Sequence, residues 1–414
     1  MSGLTTKRAD VLVIGGAIAG CMAAAEAVKH GLKVILVDKG MMGRSGSSPT
    51  AGTATAAAFS HSDLGRDLPE PDSPQLHFLD TYKAGDGLCD PRLVALCVEE
   101  ALPIVRELET FGVPWTKTAD GRYFQYKALG HSRSRSCHPT GSSMTFMAAI
   151  AKEVFYRRAE VVEDTMVTDL LMADGRVVGA LGFHRLTGEE VLFQAGAVVL
   201  AAGSATRLFK YASANFQTTG DAQALGFRVG APLVNMEFVE FTVIPKVAQK
   251  IISTGGISPF TGRGSHIRNG LGERIMETYD PVRLERTTRA QLVRAIDREI
   301  REGRGPIWND SSHFTEELWQ EFHTSSPEVL DRLKAAGLEY RRAPFEWVPA
   351  MHTCLGGFLI DERGETAVPG LYASGECAAT IHGANRLSGN ATTECLVFGK
   401  RAGRHAALFD GLYR

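Results

Sequence analysis

The chain has 414 residues, 44% hydrophobic and 22% charged, which allows more than one core and is ordinary for a globular protein. A formal net charge of −2 gives no electrostatic reason to expect nucleic acid or an anionic membrane as a partner. The seven cysteines stand singly, without CxxC or Cys/His ligand spacing, so no metal site is expected, and scattered thiols fit a reducing, cytoplasmic compartment.

The first element to interpret is "ADVLVIGGAIAGCMAAAEAV" (9–28). Its length suits a membrane span, but Gly15, Gly16 and Gly20 break it and Glu26 sits inside it, so no transmembrane segment is expected. The residues before it lack the layout of a signal peptide. The stretch reads as a strand (Val11–Ile14), a glycine turn and an Ala-rich helix ending near Gly31, followed by a second strand (Lys33–Val37) closed by Asp38. That is a βαβ unit of dinucleotide-binding length. In such a turn the backbone comes close to a pyrophosphate, the helix N-terminus offers N–H groups and a positive dipole, and Asp38 is placed to accept from a ribose hydroxyl. Ala17 puts a methyl group where the middle glycine of GxGxxG usually stands, and the turn alone does not separate FAD from NAD.

"GMMGRSGSSPTAGTATAAAF" (40–59) is nearly all small residues, a poor way to build a core but a good way to run backbone along a flat ligand. "GRVVGALGFHRLTGEEVLFQAGAVVLAAGSATRLF" (175–209) predicts a hairpin or meander of two strands and then a further strand ending in Gly203. Thr219-Gly220-Asp221 opens a short helix. This layout, with a dinucleotide fold revisited several times along the chain, is that of a flavoprotein. "ERTTRAQLVRAIDREIREGRG" (285–305) predicts a helix with Leu292, Val293, Ile296 and Ile300 on its apolar side. Thr288 and Gln291 form a capping box there, which puts Arg289 at the first helical position. A cation at that place faces the positive end of the macrodipole, so stability does not explain the arginine. His352 precedes a Gly-Gly turn and an expected strand, "FLID" (358–361), and a helix is expected to start near Asn390–Thr392.

These pieces, with "MEFVEF" (236–241), "HTCLGG" (352–357), "PGLYASGEC" (369–377) and "HGANRL" (382–387), resemble the fumarate reductase/succinate dehydrogenase flavoprotein family, from about residue 9 to about residue 405. L-aspartate oxidase and the flavin subunit of adenylylsulfate reductase belong to that family. The resemblance implies an α/β fold with a Rossmann-like FAD-binding domain in two pieces, 1–240 and 346–414. An α+β capping domain, 241–345, is inserted between them, and the family's further C-terminal helical domain is not expected.

By the same resemblance, FAD is held near Gly15, Gly16, Ala17, Gly20, Asp38 and Lys39, and along the small-residue loop at Arg44, Ser45, Gly46, Ser47, Ala51 and Gly52. Val167, Ala202, Gly203 and Asp221 complete the nucleotide side, and Glu376 meets the ribityl chain. Asn390, Ala391 and Thr392 start a helix whose N-terminus would stabilise negative charge on reduced flavin at N1–C2=O. Gly46 occupies the place of the family's covalent flavin histidine, so FAD is expected to bind non-covalently, and the "RSG" form is more similar to the adenylylsulfate reductase branch.

The family also implies catalytic roles. Arg289 matches the arginine that gives or takes the substrate proton, although a free guanidinium is a very weak acid. His352 matches the histidine of "HYTMGG" and Arg386 the arginine of "GANRL", which together hold a substrate carboxylate. Hydride transfer between the substrate's β-carbon and flavin N5 would follow. "EFTVIP" (240–245) departs from the family's "QFHPT": Glu240, Thr242 and Ile244 stand at the Gln, His and Thr positions of the second carboxylate pocket. Lys246, Arg263 and His266 are candidates to compensate, and Ala128 stands where aspartate oxidases carry an acid. The expected function is therefore an FAD-dependent oxidoreductase of a small carboxylic acid. The alternatives are the flavin subunit of a complex with an iron–sulfur or other electron-transfer partner, and a non-catalytic FAD-binding assembly component.

Overall fold

The computed structural model describes residues 4–59, 71–128, 130–248, 250–252, 258–325, 327–379 and 381–413. Strands β1 (Thr5–Ile14) and β2 (Val34–Val37) are parallel neighbours joined through helix α1 (Ile18–Val28). Val11–Ile14 and all of β2 are buried, which is why they appear in the sequence as unbroken apolar runs rather than alternating ones. Gly15 holds φ at +110°, and a Cβ on it would lie 2.4 Å from the Ala201 carbonyl oxygen. A Cβ on Gly20 would lie 1.8 Å from the carbonyl oxygen of Gly15, so only glycine lets the helix pass this close to the turn.

Next come α2 (Pro74–Ala84) and α3 (Pro91–Thr110), each with proline in its first turn and a side-chain cap, Ser73 accepting from Leu76 N and Asp90 from Arg92 N. α4 (Ser143–Tyr156) leads into β3 (Glu160–Val162), β4 (Thr165–Ala173), β5 (Arg176–His184) and β6 (Glu190–Leu200). The sequence predicted a second break before a strand ending in Gly203. Instead β6 is one strand that stops at Leu200, because it pairs with β1 from Val191 to Leu200. α5 (Asp221–Arg228) starts directly after Gly220, as expected.

A second set of elements follows: β7 (Val239–Val247), β8 (Lys250–Ile251), β9 (His266–Arg268), α6 (Arg289–Arg301), β10 (Ile307–Asp310), α7 (Glu316–Ser325), α8 (Pro327–Ala335) and β11 (Phe345–Cys354). Their sheet runs β8-β7-β11-β10-β9. One face buries Val243, Ile267, Ile307, Phe345 and Trp347 against Leu292 and Ile296 of α6, Phe322 of α7 and Leu330 of α8. The other face carries a smaller cluster of Ile244, Val348 and Ala350, with Tyr211 and Ile251 packed on it. Ile300 is 40% exposed, contrary to the expected apolar side of α6; the position one helical repeat below Leu292 and Ile296 is Glu299. Its carboxylate is satisfied there by Arg304, Tyr279 and Asn269.

The chain then adds β12 (Leu371–Ala373) and α9 (Asn390–Ala407). The first sheet runs β3-β2-β1-β6-β5-β4, with β12 also pairing β6. α9 lies on α1, Gly399 and Gly403 passing over the backbone of Ala19 and Ala23. "FLID" forms only a short strand, Gly357–Phe358. The chain divides into two compact units: Met1–Ala205 with Asn215–Val239 and Thr353–Arg414, and Thr206–Ala214 with Glu240–His352. The second unit thus includes a segment, Thr206–Ala214, that the sequence reading assigned to the FAD-binding part. That segment lies alongside β11, with Met351 N donating to Tyr211 O and Ser213 N to Met351 O. Among the described residues no helix is long and apolar enough to cross a membrane.

Candidate functional site

In the first unit the turn after β1 is held from beneath. Asp38 is buried, and its carboxylate accepts from Gly16 N, Gly40 N and Ser45 Oγ, each at 2.6 Å. These bonds fix the glycine turn and the small-residue loop to each other, beside the ribose contact expected of Asp38. Lys39 is bound to Asp221 and to Thr219 Oγ1, so two expected cofactor residues pair with one another. Gly46 lies against Ala17, and its N–H donates to Gln217 Oε1 at 3.1 Å. Arg44, Ala51 and Gly52 are exposed, and Ala202 and Gly203 are half-buried at the end of β6. Val167 is buried inside β4, at a register shift opposite β5.

The residues present fit FAD. The Ala17 and Gly389 N-caps of α1 and α9 offer no side-chain cap, and neither helix has an acid in its first turn. Two long helices therefore present N–H groups and positive dipole ends suited to a pyrophosphate and to a reduced flavin. Ser47 Oγ, in the small-residue loop, is buried without a hydrogen-bond partner among the described residues. Near α9, burial pushes the Glu376 carboxyl above its ordinary range, against the pull of the Thr353 and Ser204 hydroxyls and the charge of Arg386. Arg386 itself is half-buried, and Ala391 and Thr392 occupy the first turn of α9.

Asn390 starts α9 as expected, and its side chain has a further, structural role. Its side chain is buried, Oδ1 2.8 Å from His77 Nε2 and Nδ2 donating to Thr81 Oγ1 at 2.9 Å, so it ties the start of α9 to α2. Behind it lies a group the sequence did not reveal. Arg135 is fully buried and forks onto both oxygens of Asp72 at 2.9 Å, with a third bond to Asp80 Oδ2 at 2.7 Å. Ser132 donates twice to the same Asp80 oxygen, and His131 Nε2 meets Ser388 O at 2.6 Å. The only sequence signal was arginine and acids in two short segments, which no local rule pairs.

Burial, and then the charge of Arg135, push the His77 imidazole down to about 3; burial also lowers His131. An unfolded histidine titrates near pH 6.5, so below that value the unfolded chain takes up protons that the folded chain refuses. Stability present above about pH 6.5 is therefore expected to decline on acidification toward about pH 5. Thermal melting across that range should show the decline, and a shallower one in His77→Gln.

In the second unit, Thr288 Oγ1 accepts from Gln291 N at 3.3 Å and caps α6, which places Arg289 at the first helical position as predicted. The Gln291 half of the capping box is not made with backbone; its Oε1 takes the Thr287 and Thr288 hydroxyls. Arg289 Nη1 binds the buried carboxylate of Glu240 on β7, and Arg289 Nε is buried with no partner among the described residues. That ion pair explains how a cation persists at the positive end of a helix dipole. On β11, His352 Nδ1 lies 2.7 Å from Ser213 Oγ. The expected compensators are otherwise engaged: Lys246 bonds both oxygens of Glu346, Arg263 binds Glu321, and His266 stacks on His313 at 4.0 Å.

A family model described as FAD binding domain matches residues 10–392. The chain is 38% identical over 408 residues to a subunit of the CoM/CoB fumarate reductase of Methanothermobacter marburgensis, covering 96% of this chain and 72% of that protein. It is 33% identical to an L-aspartate oxidase of Caulobacter vibrioides, covering 96% of this chain and 76% of the relative. Among solved structures, a variant of E. coli quinol fumarate reductase FrdA superposes with a TM-score of 0.86 at 28% identity, over 98% of this chain and 71% of that one. The chain belongs to the FAD binding domain family and is an FAD-dependent oxidoreductase related to fumarate reductase and L-aspartate oxidase.

Proposed function

We propose that the protein oxidises or reduces a small carboxylic acid. The first unit holds FAD non-covalently, since Gly46 replaces the residue that would bond to it, through the glycine turn, the small-residue loop and the two uncapped helix starts. When bound, FAD supplies the two-electron chemistry, a hydride exchanged at N5. In the first unit Arg386 provides a bidentate guanidinium suited to a substrate carboxylate, and in the second His352 offers an imidazole whose Nδ1 meets Ser213 Oγ. Arg289 carries the proton at Nη1, and Glu240, bound to that nitrogen, is the base that replenishes it.

The observation that carries this reading is the Arg289–Glu240 pair, a cation kept at a helix start by a buried acid. The likeness to one component of a multi-subunit fumarate reductase favours a second reading of how electrons arrive: an electron-transfer partner, iron–sulfur or otherwise, that serves the same flavin.

The test is calorimetric titration of the FAD-loaded protein with small carboxylic acids and with the matching amides lacking any carboxylate. Acids are expected to bind and those amides not to, and Arg386→Met is expected to weaken acid binding by about 10²-fold or more, the scale of a lost charge-assisted bidentate pair. Equal binding of acids and fully amidated analogues would overturn the carboxylate reading.

A further inference from the structure

Two buried histidines of the first unit, which the proposed chemistry does not use, hold the start of α9. His131 Nε2 lies 2.6 Å from Ser388 O, and His77 Nε2 lies 2.8 Å from Asn390 Oδ1. Ser388 and Asn390 flank Gly389, the N-cap of α9, so one imidazole grips the chain on each side of the cap. His77 is 0% exposed and His131 5%, and their ring centroids are 6.2 Å apart.

The hydrogen bonds assign the proton on each ring. The Thr81 hydroxyl donates to His77 O at 2.8 Å, so its oxygen accepts from Asn390 Nδ2, and the amide orientation is fixed. Asn390 Oδ1 therefore faces His77, and Nε2 is the donor. A carbonyl only accepts, so His131 also donates to Ser388 O from Nε2. Neither Nδ1 has a hydrogen-bond partner among the described residues. A second proton there would bury a charged donor with nothing to receive it. Burial, and after it the Arg135 charge, work in the same direction on both rings. Both histidines are thus neutral donors. A Ser or Asp cap would occupy an N–H of the first turn, and Asp would also oppose the dipole. The imidazoles fix the helix start through a carbonyl and a side-chain amide instead, and α9 keeps its uncapped end without an acid in its first turn.

We propose that His77 and His131 are positioning residues for the flavin: they hold the uncapped start of α9 where its positive end stabilises the reduced, negatively charged cofactor. Together they set how strongly the protein favours reduced over oxidised FAD, and so its reduction potential. This rests on the reading of α9's start as lying at the reduced flavin.

The flavin midpoint potential of the FAD-loaded protein, measured against reference dyes without substrate, tests this. His77→Leu and His131→Leu each remove one donor and keep an apolar side chain. Each is expected to weaken the preference for reduced flavin about tenfold, which lowers a two-electron potential by about 30 mV. Glutamine puts its amide nitrogen where Nε2 stands, so His77→Gln and His131→Gln are expected to stay within about twofold of wild type. Ala391→Glu tests the placing of α9 by itself, because an acid in the first turn opposes reduced flavin and lowers the potential if α9 lies there. If Ala391→Glu lowers the potential while both leucine variants leave it within about twofold, the positioning role alone is overturned. Glutamine variants that fall as far as the leucine ones would overturn it too. If Ala391→Glu leaves the potential unchanged, the placing of α9 falls, and the proposal with it. Nitrogen NMR of histidine-labelled wild type needs no variant to fold. Both rings are expected to be neutral near neutral pH with the proton on Nε2. A charged ring, or one protonated at Nδ1 alone, would overturn the proposal.

Discussion

Arg289→Gln is expected to lower turnover by about 10²–10⁴-fold, the range typical of losing a general acid or base, while FAD remains bound. Glutamine keeps a donor for Glu240 but carries no exchangeable positive proton. The effect belongs in kcat more than in KM, because the lost interaction is with the reacting carbon rather than with the substrate carboxylate. Arg289→Lys should retain more activity, since the ammonium keeps the charge but loses the planar geometry toward Glu240. Steady-state kinetics with flavin content measured by absorbance separates loss of chemistry from loss of cofactor. The side chain of Arg289 is 23% exposed whereas that of Glu240 is 6% exposed, so the variant leaves a buried acid without its partner. Some loss of stability should accompany the loss of rate, and Arg289→Gln,Glu240→Gln should recover it without recovering turnover.

Arg135→Met is expected to destabilise the protein by about 3–5 kcal/mol, the cost of breaking a buried ion pair from one side. The guanidinium is fully buried and makes three bonds to two carboxylates, so its removal strands both Asp72 and Asp80. Asp80 is held below the ordinary carboxylate range by the two Ser132 donors and by Arg135, working against burial. The Ser132 donors remain after the substitution, so Asp72 is the group most exposed to the loss. Denaturant unfolding, read as a shift of midpoint at constant slope, measures the change. A shift of under about 1 kcal/mol would show that the cluster is not supporting the start of α9.

How much of this was legible in the sequence depended on distance along the chain. The βαβ unit was readable because its signals are local: apolar runs, a glycine turn and a helix of the right length. The start of α6 was readable because Thr288 and Gln291 are only one turn apart, and that reading placed Arg289 correctly. Ile300 was misplaced because Glu299, a charged residue, holds the buried position through Arg304 and Asn269. The partner of Arg289 could not be seen, since Glu240 lies 49 residues away on another element. Asp38 had the expected place at the end of β2, but the bonds it accepts from Gly16, Gly40 and Ser45 depend on the fold and were not legible. The Arg135 cluster joins segments around 72, 80 and 132–135, and nothing in the periodicity of any one of them announces it. The loss of histidine at Thr242 was legible as a substitution; only the fold shows that its hydroxyl is buried and unpaired.

The most direct measurement is anaerobic mixing of the chemically reduced protein with a panel of unsaturated and imino acids, following the return of oxidised flavin absorbance. At least one acid is expected to reoxidise the flavin well above the rate of the acid-free control, and Arg289→Gln is expected to slow that acid by about 10²–10⁴-fold. If no acid in the panel outpaces the control, the protein is not a carboxylic-acid oxidoreductase, and the roles given to Arg386, His352 and Arg289 fail together.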